Sequence, residues 1–296
     1  MGKIKKNIEI EEKFEKRFRR KSNARKILRR CFVCVTAVAF AVLSGCGDQD
    51  RSVETKTADL PQIVVGSDDY PPYNFEDVNG RPTGIDVELA REAFGRMGYE
   101  AVFAYINWEE KKELVERGDI DCIWGSFTID GREEEYNWAG PYMISRQVVA
   151  VNEDSDIYSL SDLKGKKIAV QSTTKPETIF TAHKDNRIPQ VQAVFSLQNR
   201  ELIYPFLSKG YVDAVAAHET AILQYMKDYE LEYRILEEPL LTVGLGVAFS
   251  KNDDRGINEK LTETFAEMRK DGTMTKILGK YLDDPGKYLE VDDYEK

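Results

Sequence analysis

With 296 residues the chain is long enough for about two domains of ordinary size. Residues 1–45 hold 13 of the 42 Lys and Arg but only 4 of the 52 Asp and Glu, so the remainder carries 29 basic against 48 acidic side chains, a net of −19. A surface that acidic argues against nucleic acid as a partner and favours a soluble, exposed protein.

Met1 to Arg30 is strongly basic and runs into an apolar stretch, Cys31 to Leu43. At 13 residues this stretch falls short of the ~20 that span a bilayer as a helix, so it reads as the core of a secretory signal over residues 1–45. Leu43-Ser44-Gly45-Cys46 resembles the bacterial lipobox, which implies cleavage before Cys46 and a palmitate-type lipid on its thiol. The basic lead is long for a signal and points to a later translation start. Residues 46–61 are polar and read as a flexible tether. Cys31 and Cys34 leave with the signal and Cys46 carries lipid, so Cys122 remains alone and no intramolecular disulfide is possible. Its apolar surroundings predict an inert buried thiol.

The folded part begins with a short strand at Ile63-Val64-Val65, ending in Gly66-Ser67-Asp68-Asp69-Tyr70-Pro71-Pro72-Tyr73. Two prolines forbid helix there and hold Tyr70 and Tyr73 in an extended loop. Asn79-Gly80 marks a turn, and Gly84-Ile85-Asp86 leads into a helix from Val87 to about Met97, stopped by Gly98. Asn107 with Glu110 forms a capping-box pattern before a helix from Trp108 to Arg117, closed by Gly118. A buried strand follows at Cys122 to Trp124 and stops at Gly125, beyond which backbone amides and hydroxyls are free for a ligand. Arg132, six residues after Ser126, can reach back over this strand end and offer a planar fork to a carboxylate. The order strand, helix, strand, helix, strand calls for a parallel sheet covered on both faces.

A second block repeats this grammar. Ser145 to Asn152 is extended, Ser159 to Lys166 a short helix, and Lys167 to Gln171 a strand followed by Ser172-Thr173-Thr174-Lys175-Pro176-Glu177. A Thr cap with Pro and Glu in the first turn presents free amides and the positive end of a helix dipole, a second place for an anion. A helix over Asn199 to Lys209, a strand over Val212 to Ala217 ending at His218-Glu219, and a helix over Thr220 to Lys227 come next. Val243 to Ser250 is extended again, two helices occupy Ile257 to Lys270 and Thr273 to Leu282, and the tail is acidic. Two α/β lobes whose chain crosses twice follow from this pattern, with two extended strands as a hinge. The boundaries are 62–146 plus 248–284 for the first lobe, 147–247 for the second and 285–296 for the tail.

Several motifs together resemble the extracellular solute-binding proteins of polar amino acid ABC transporters, over about Leu60 to Leu282. They are Gly66-Ser67-Asp68-x-Tyr70-Pro71-Pro72-Tyr73, Gly84-Ile85-Asp86-Val87-Glu88-Leu89, Gly118-x-Ile120-Asp121, Arg132 with Gly140-Pro141-Tyr142, Asp162 to Lys167, Gln171-x-Thr173-Thr174, Gly210-x-Val212-Asp213-Ala214 and Asp271-Gly272-Thr273. The resemblance implies an α/β, two-lobed periplasmic-binding-protein-like (type II) fold with two hinge crossings and a ligand cleft between the lobes. It implies that Arg132 forks onto a ligand α-carboxylate also met by amides at Thr128 and Thr174, with Thr173 in the same tip. Gly125, Ser126 and Thr128 would line the rim, Asp68 and Tyr70 would lie near the ligand side chain, and Trp108 would form the opposite apolar wall. One position departs from the family: His218 stands where an Asp usually holds the ligand ammonium. Either Glu219 takes over, or the ligand lacks a free α-amine or carries a second carboxylate with His218 as its partner.

The implied setting is the outer face of a cell membrane, with a lipid anchor, a small-molecule ligand and an ABC permease as partners, and without cofactor, metal or catalytic residues. Two other classes share the fold. A sensor would pass the closed form to a signalling receptor. A cyclohexadienyl or arogenate dehydratase-like enzyme would use Asp68, Glu219 and His218 as its acid and base.

Overall fold

The computed structural model describes residues 60–291. The signal, Cys46 and nearly all of the tether lie outside the described residues. The chain opens with β1 (Gln62–Ser67) and a small hairpin of β2 (Phe75–Glu76) and β3 (Pro82–Thr83), followed by α1 (Ile85–Arg96) and β4 (Glu100–Tyr105). A 3-10 turn at Trp108–Glu110 runs into α2 (Lys111–Arg117) and β5 (Cys122–Thr128). The long strand β6 (Asn137–Asn152) leads to β7 (Lys167–Gln171), α3 (Lys175–Ala182) and β8 (Ala193–Leu197). A second 3-10 turn at Arg200–Leu202 precedes α4 (Ile203–Ser208), β9 (Ala214–His218), α5 (Glu219–Tyr229) and β10 (Tyr233–Ile235). The strand β11 (Leu241–Phe249) then hands over to α6 (Ile257–Lys270) and α7 (Thr273–Leu278).

The entry to α1 shows how local sequence sets a junction. Gly84 has φ 117, and a Cβ there would sit 2.2 Å from the Tyr73 carbonyl oxygen. Only glycine meets both conditions. Ile85, Leu89, Ala90, Ala93 and Phe94 then form the buried stripe of the helix, with Asp86 and Glu88 in its first turn.

All strands but the β2–β3 hairpin form one mixed sheet in the order β4-β1-β5-β11-β6-β9-β7-β8, with β10 on β6. The parallel pairs expected from the βα grammar lie within each block: β1 with β4 and β5, and β7 with β8 and β9. The blocks are joined by an antiparallel pair, β6 and β11, that runs from Asn137↔Phe249 to Gln147↔Leu241. From Gln147 onward β6 pairs with β9. β11 meets β5 from Leu245, whose partner is Thr128, earlier in the chain than the sequence reading placed this crossing.

Each half has its own core. Trp124, Phe94, Tyr142 and Phe265 meet edge-on or tilted at 5.4–5.9 Å, with Leu261, Met268 and Met274 packed around them. The last two helices therefore belong to the first half. The second half buries Val149, Ile168, Val170, Phe180 and Leu236. Cys122 is fully buried and its thiol is pushed well above its ordinary value by burial, as an inert structural cysteine should be.

Candidate functional site

The carboxyl ends of β1 and β5 from one half face those of β7 and β9 from the other, the arrangement in which open α/β sheets hold small molecules. Between them lies a cleft with about 410 Å³ of space not filled by atoms, open solvent included. Tyr70, Trp108, Ser126, Thr128, Arg132, Thr173, Thr174 and His218 all line it. Asp68 and Gly125 do not. Asp68 lies behind Arg200, and Gly125 is packed so tightly that a Cβ would approach the Ser67 hydroxyl oxygen to 2.4 Å and the Trp108 ring to 3.3 Å.

The two facing tips share a backbone feature. Ser126 lies inside β5, which runs past Gly125 to Thr128 because β11 pairs with it there rather than stopping where the sequence suggested; it has φ 47, and Thr173, just past β7, has φ 57. Non-glycine residues seldom adopt such angles, and they are held here by specific partners. Asp86 accepts a hydrogen bond from the Ser126 backbone N–H at 2.7 Å, and others from Tyr142 at 2.8 Å and Asn74 at 3.3 Å. Burial nonetheless pushes its carboxyl up to about 7, against these hydrogen bonds. On the opposite tip Glu177 accepts from the Thr173 N–H at 2.6 Å, and the Thr174 hydroxyl donates to the Gln171 carbonyl at 2.6 Å. The Thr173 amide is thus already spoken for by α3's own first turn.

Arg132 lies over the Phe127 ring at 4.9 Å and donates to the carbonyls of Thr128 at 3.3 Å and, across the cleft, Thr173 at 3.4 Å. Burial holds its guanidinium below the ordinary value. Among the described residues no carboxylate forms an ion pair with it. It is a desolvated fork that the protein itself does not neutralise.

Arg200 is the opposite case. Its Nε and Nη2 donate to the Asp68 carboxylate at 3.2 and 3.4 Å, and its guanidinium carbon lies 3.2 Å from the Tyr70 ring centroid. Burial works against its charge, while Asp68 and Tyr70 favour it, and the net effect holds it above the ordinary value. Asp68 also accepts from Gln171 Nε2 at 2.7 Å. Lys111, 6% exposed, donates to the Trp108 carbonyl at 3.0 Å and to the Thr173 hydroxyl at 2.9 Å. Burial and then Arg132 bring its amine down to about 7.

Neither Arg200 nor Lys111 stands out in the sequence. Lys111 sits in the charge run Glu109 to Glu113, which reads as a solvated helix face. Arg200 offers one signal, a cation in the first turn of a helix, where the dipole disfavours it.

His218 is 4% exposed. Gln147 Nε2 lies 2.8 Å from its Nε2 and the Ser145 hydroxyl 2.8 Å from its Nδ1, while its backbone N–H donates to the Tyr70 hydroxyl at 3.3 Å. Burial, then Arg200, brings the ring down to about 3, so it is neutral at pH 7. Nε2 accepts from Gln147 and Nδ1–H donates to Ser145 in the tautomer these partners require.

Both residues offered for this corner have partners within the protein. Glu219 is ion-paired with Arg146 at 2.7 Å at the start of α5. His218 has both ring nitrogens engaged by Ser145 and Gln147. The acid and base of a dehydratase-like site are therefore not assembled: Asp68 is bound to Arg200, Glu219 to Arg146, and His218 is uncharged.

Several buried polar atoms around the cavity have no hydrogen-bond partner: Ser126 Oγ, Gln147 Oε1, Gln171 Oε1 and Trp108 Nε1. Leaving a buried polar atom unpaired costs on the order of ~1–3 kcal/mol, so their convergence marks a place that receives a polar guest. Among the described residues no group of three or more His, Cys, Asp or Glu could hold a metal. No helix there is long and apolar enough to cross a membrane.

Comparison with known proteins agrees with this geometry. The family model described as bacterial extracellular solute-binding proteins, family 3, matches residues 63–284. The histidine-binding periplasmic protein of Salmonella typhimurium is 31% identical over 237 residues, covering 76% of this chain and 90% of the relative. The glutamate-binding protein GluB of Corynebacterium glutamicum is 26% identical over 273 residues, covering 86% and 90%. Among solved structures, an ancestral arginine-binding protein bound to arginine superposes with a TM-score of 0.68 at 28% identity, covering 76% of this chain and 99% of that one. With its motifs, its two-part sheet and its cleft all of one kind, this chain belongs to the bacterial extracellular solute-binding proteins, family 3, and is a binding protein rather than an enzyme.

Proposed function

We propose that this chain is the capture subunit of an ABC importer, tethered by lipid on Cys46 to the outer face of the cell membrane. It closes its two lobes over a small carboxylate and delivers it to a membrane permease. The observation that carries this reading is Arg132: a partly desolvated guanidinium without an ion-paired carboxylate among the described residues, facing the Thr173–Thr174 tip across a cavity rimmed by unpaired polar atoms. A ligand acid supplies the missing counter-charge. Ser126, Thr128 and Thr174 bind its oxygens, Thr173 holds the tip in place, and Tyr70 and Trp108 form the walls.

The lobes are residues 62–146 with 248–284, and 147–247, with β11 beginning to pair with β5 at Leu245. Contacts such as Lys111 to Thr173 and Asp68 to Gln171 link them at the mouth, while β6 and β11 form a hinge that can bend without unfolding either half. The imported solute belongs to the amino acids and related acids, in keeping with relatives named for histidine and glutamate.

Isothermal titration calorimetry against amino acids and small organic acids tests the reading. At least one is expected to bind, and Arg132→Ala is expected to weaken it tenfold or more, since one charge-assisted bond contributes ~1.5–3 kcal/mol. Unchanged affinity would remove Arg132 from the site. Metabolic labelling with palmitate, lost in Cys46→Ser, tests the anchor.

A further inference from the structure

We infer that the cleft selects a small dicarboxylate, a ligand with two acid groups and no ammonium, and that Arg200 receives the second acid. This rests on the solute-capture reading above and narrows its substrate.

The charged residues that line the cavity are Arg132, Lys175 and Arg200, all cations. Among the described residues no Asp or Glu lines it. Arg132 and Arg200 enter from opposite lobes, so two fixed cations face the same small space from its two walls. Asp68 is held by Gln171 and Arg200 and gives Arg200 one partner, whereas Glu133, Asp130 and Glu135 act on Lys175, and Glu135 on Arg132, from outside the lining and without an ion pair to either among the described residues.

Lys111 lies just behind, between Trp108 and Thr173. Arg132 and Arg200 oppose its charge, while Asp68 and Glu109 favour it, and burial outweighs them all. With three cations and, among the described residues, no carboxylate lining the cavity, a further cation is disfavoured there and a second anion is favoured.

An incoming ammonium meets the reverse situation. His218, which lines the cavity, is a neutral imidazole whose two nitrogens are engaged by Ser145 and Gln147. The unpaired acceptors Ser126 Oγ, Gln147 Oε1 and Gln171 Oε1 are neutral and can take a hydrogen bond without offsetting a charge. Asp69 and Glu201 form a separate carboxyl pair, both raised by burial, outside the lining. The specificity is therefore opposite to that of a cationic amino acid binder.

The purified protein is titrated at pH 7 and low salt with glutarate, succinate, L-glutamate, L-arginine and L-histidine. At least one diacid is expected to bind tenfold or more tightly than each amino acid. An amino acid that binds as tightly as the diacids, or more so, overturns the inference. Silence toward all five with a response in a wider panel of amino acids, peptides and sugars also overturns it, but leaves solute capture standing. Silence toward the wider panel as well defeats both.

Arg200 is tested with Asp68→Asn/Arg200→Gln, which removes the pair without stranding a buried charge, and with Arg200→Lys, which keeps the cation. The double variant is expected to lose tenfold or more in diacid affinity and the lysine variant to lose less. Diacid affinity equal to wild type in the double variant, at a melting temperature near wild type, overturns the assignment of Arg200.

Discussion

Arg132 and Arg200 are both desolvated cations that reach one cavity, yet the protein treats them differently. Arg200 comes with an acid, Asp68, and an aromatic face, Tyr70, from the opposite lobe. Arg132 comes with an aromatic face, Phe127, and two carbonyls, but no carboxylate among the described residues. A buried cation with an internal counter-ion supports the fold first and meets a ligand acid as a second partner; a half-buried cation without one depends on the ligand for its counter-charge. The difference teaches how one cleft shares its cations between stability and binding.

The largest expected effect breaks the internal pair from its acid side. Asp68→Ala leaves Arg200, 7% exposed, without its acid, and is expected to cost about 3–5 kcal/mol in urea unfolding, as loss of one partner of a buried pair does. Arg132→Ala should cost under about 1 kcal/mol by the same measurement and lose affinity instead. Equal destabilisation by both would erase the distinction.

Acid titration sharpens the same contrast between lobes through two neutral-preferring groups. His218 is brought to about 3 from an ordinary 6.5. Its depressed value means that the unfolded chain takes up the proton first, so its contribution is present above 6.5 and lost as pH falls from there toward 3. Asp86 is raised to about 7 from 3.8. Its contribution is full below 3.8 and lost as pH rises through 7. His218→Gln is expected to remove a few kcal/mol of the acid-side loss and Asp86→Asn to flatten the loss toward neutral pH, each followed by denaturant unfolding from pH 4 to 8. A wild-type pH slope retained in His218→Gln would show that the ring is already charged in the fold.

The smallest effect concerns Lys111, held at about 7 against an ordinary 10.5. Stability tied to it rises between pH 7 and 10.5 and is lowest below 7, where the fold must carry the buried charge. Lys111→Met is expected to raise the melting temperature by a few degrees at pH 6, where each kcal/mol is worth roughly 2–4 °C in a domain of this size. A lower melting temperature would make Lys111 a structural donor to Trp108 and Thr173 before anything else.

Much of the scaffold was legible in the chain. Gly84 before an apolar helical stripe, Gly118 after one, and a polar tip following each buried strand all follow from local rules about φ, capping and side-chain period. The long hinge strand was less so. It was expected from Ser145, yet β6 begins at Asn137, because Gly140-Pro141 punctuates it like a turn while antiparallel pairing with β11 carries the strand through. β10, of 3 residues, is too short for a periodicity signal, and β8, unlike the fully apolar cores of β7 and β9, is only partly buried over most of its length.

The sequence by itself determined most of the segments that become strands and helices, that they fall into two βα blocks, and that Arg132 follows a strand end, since these depend on neighbours within a few residues. Only the tertiary structure decided which charges meet. Asp68 and Arg200 lie 132 residues apart, and nothing local tells either one that it has a partner, whereas Arg132 has none among the described residues. Ion pairing and burial are set by what the other lobe brings, and so the sign of the field that a ligand meets is a property of the fold.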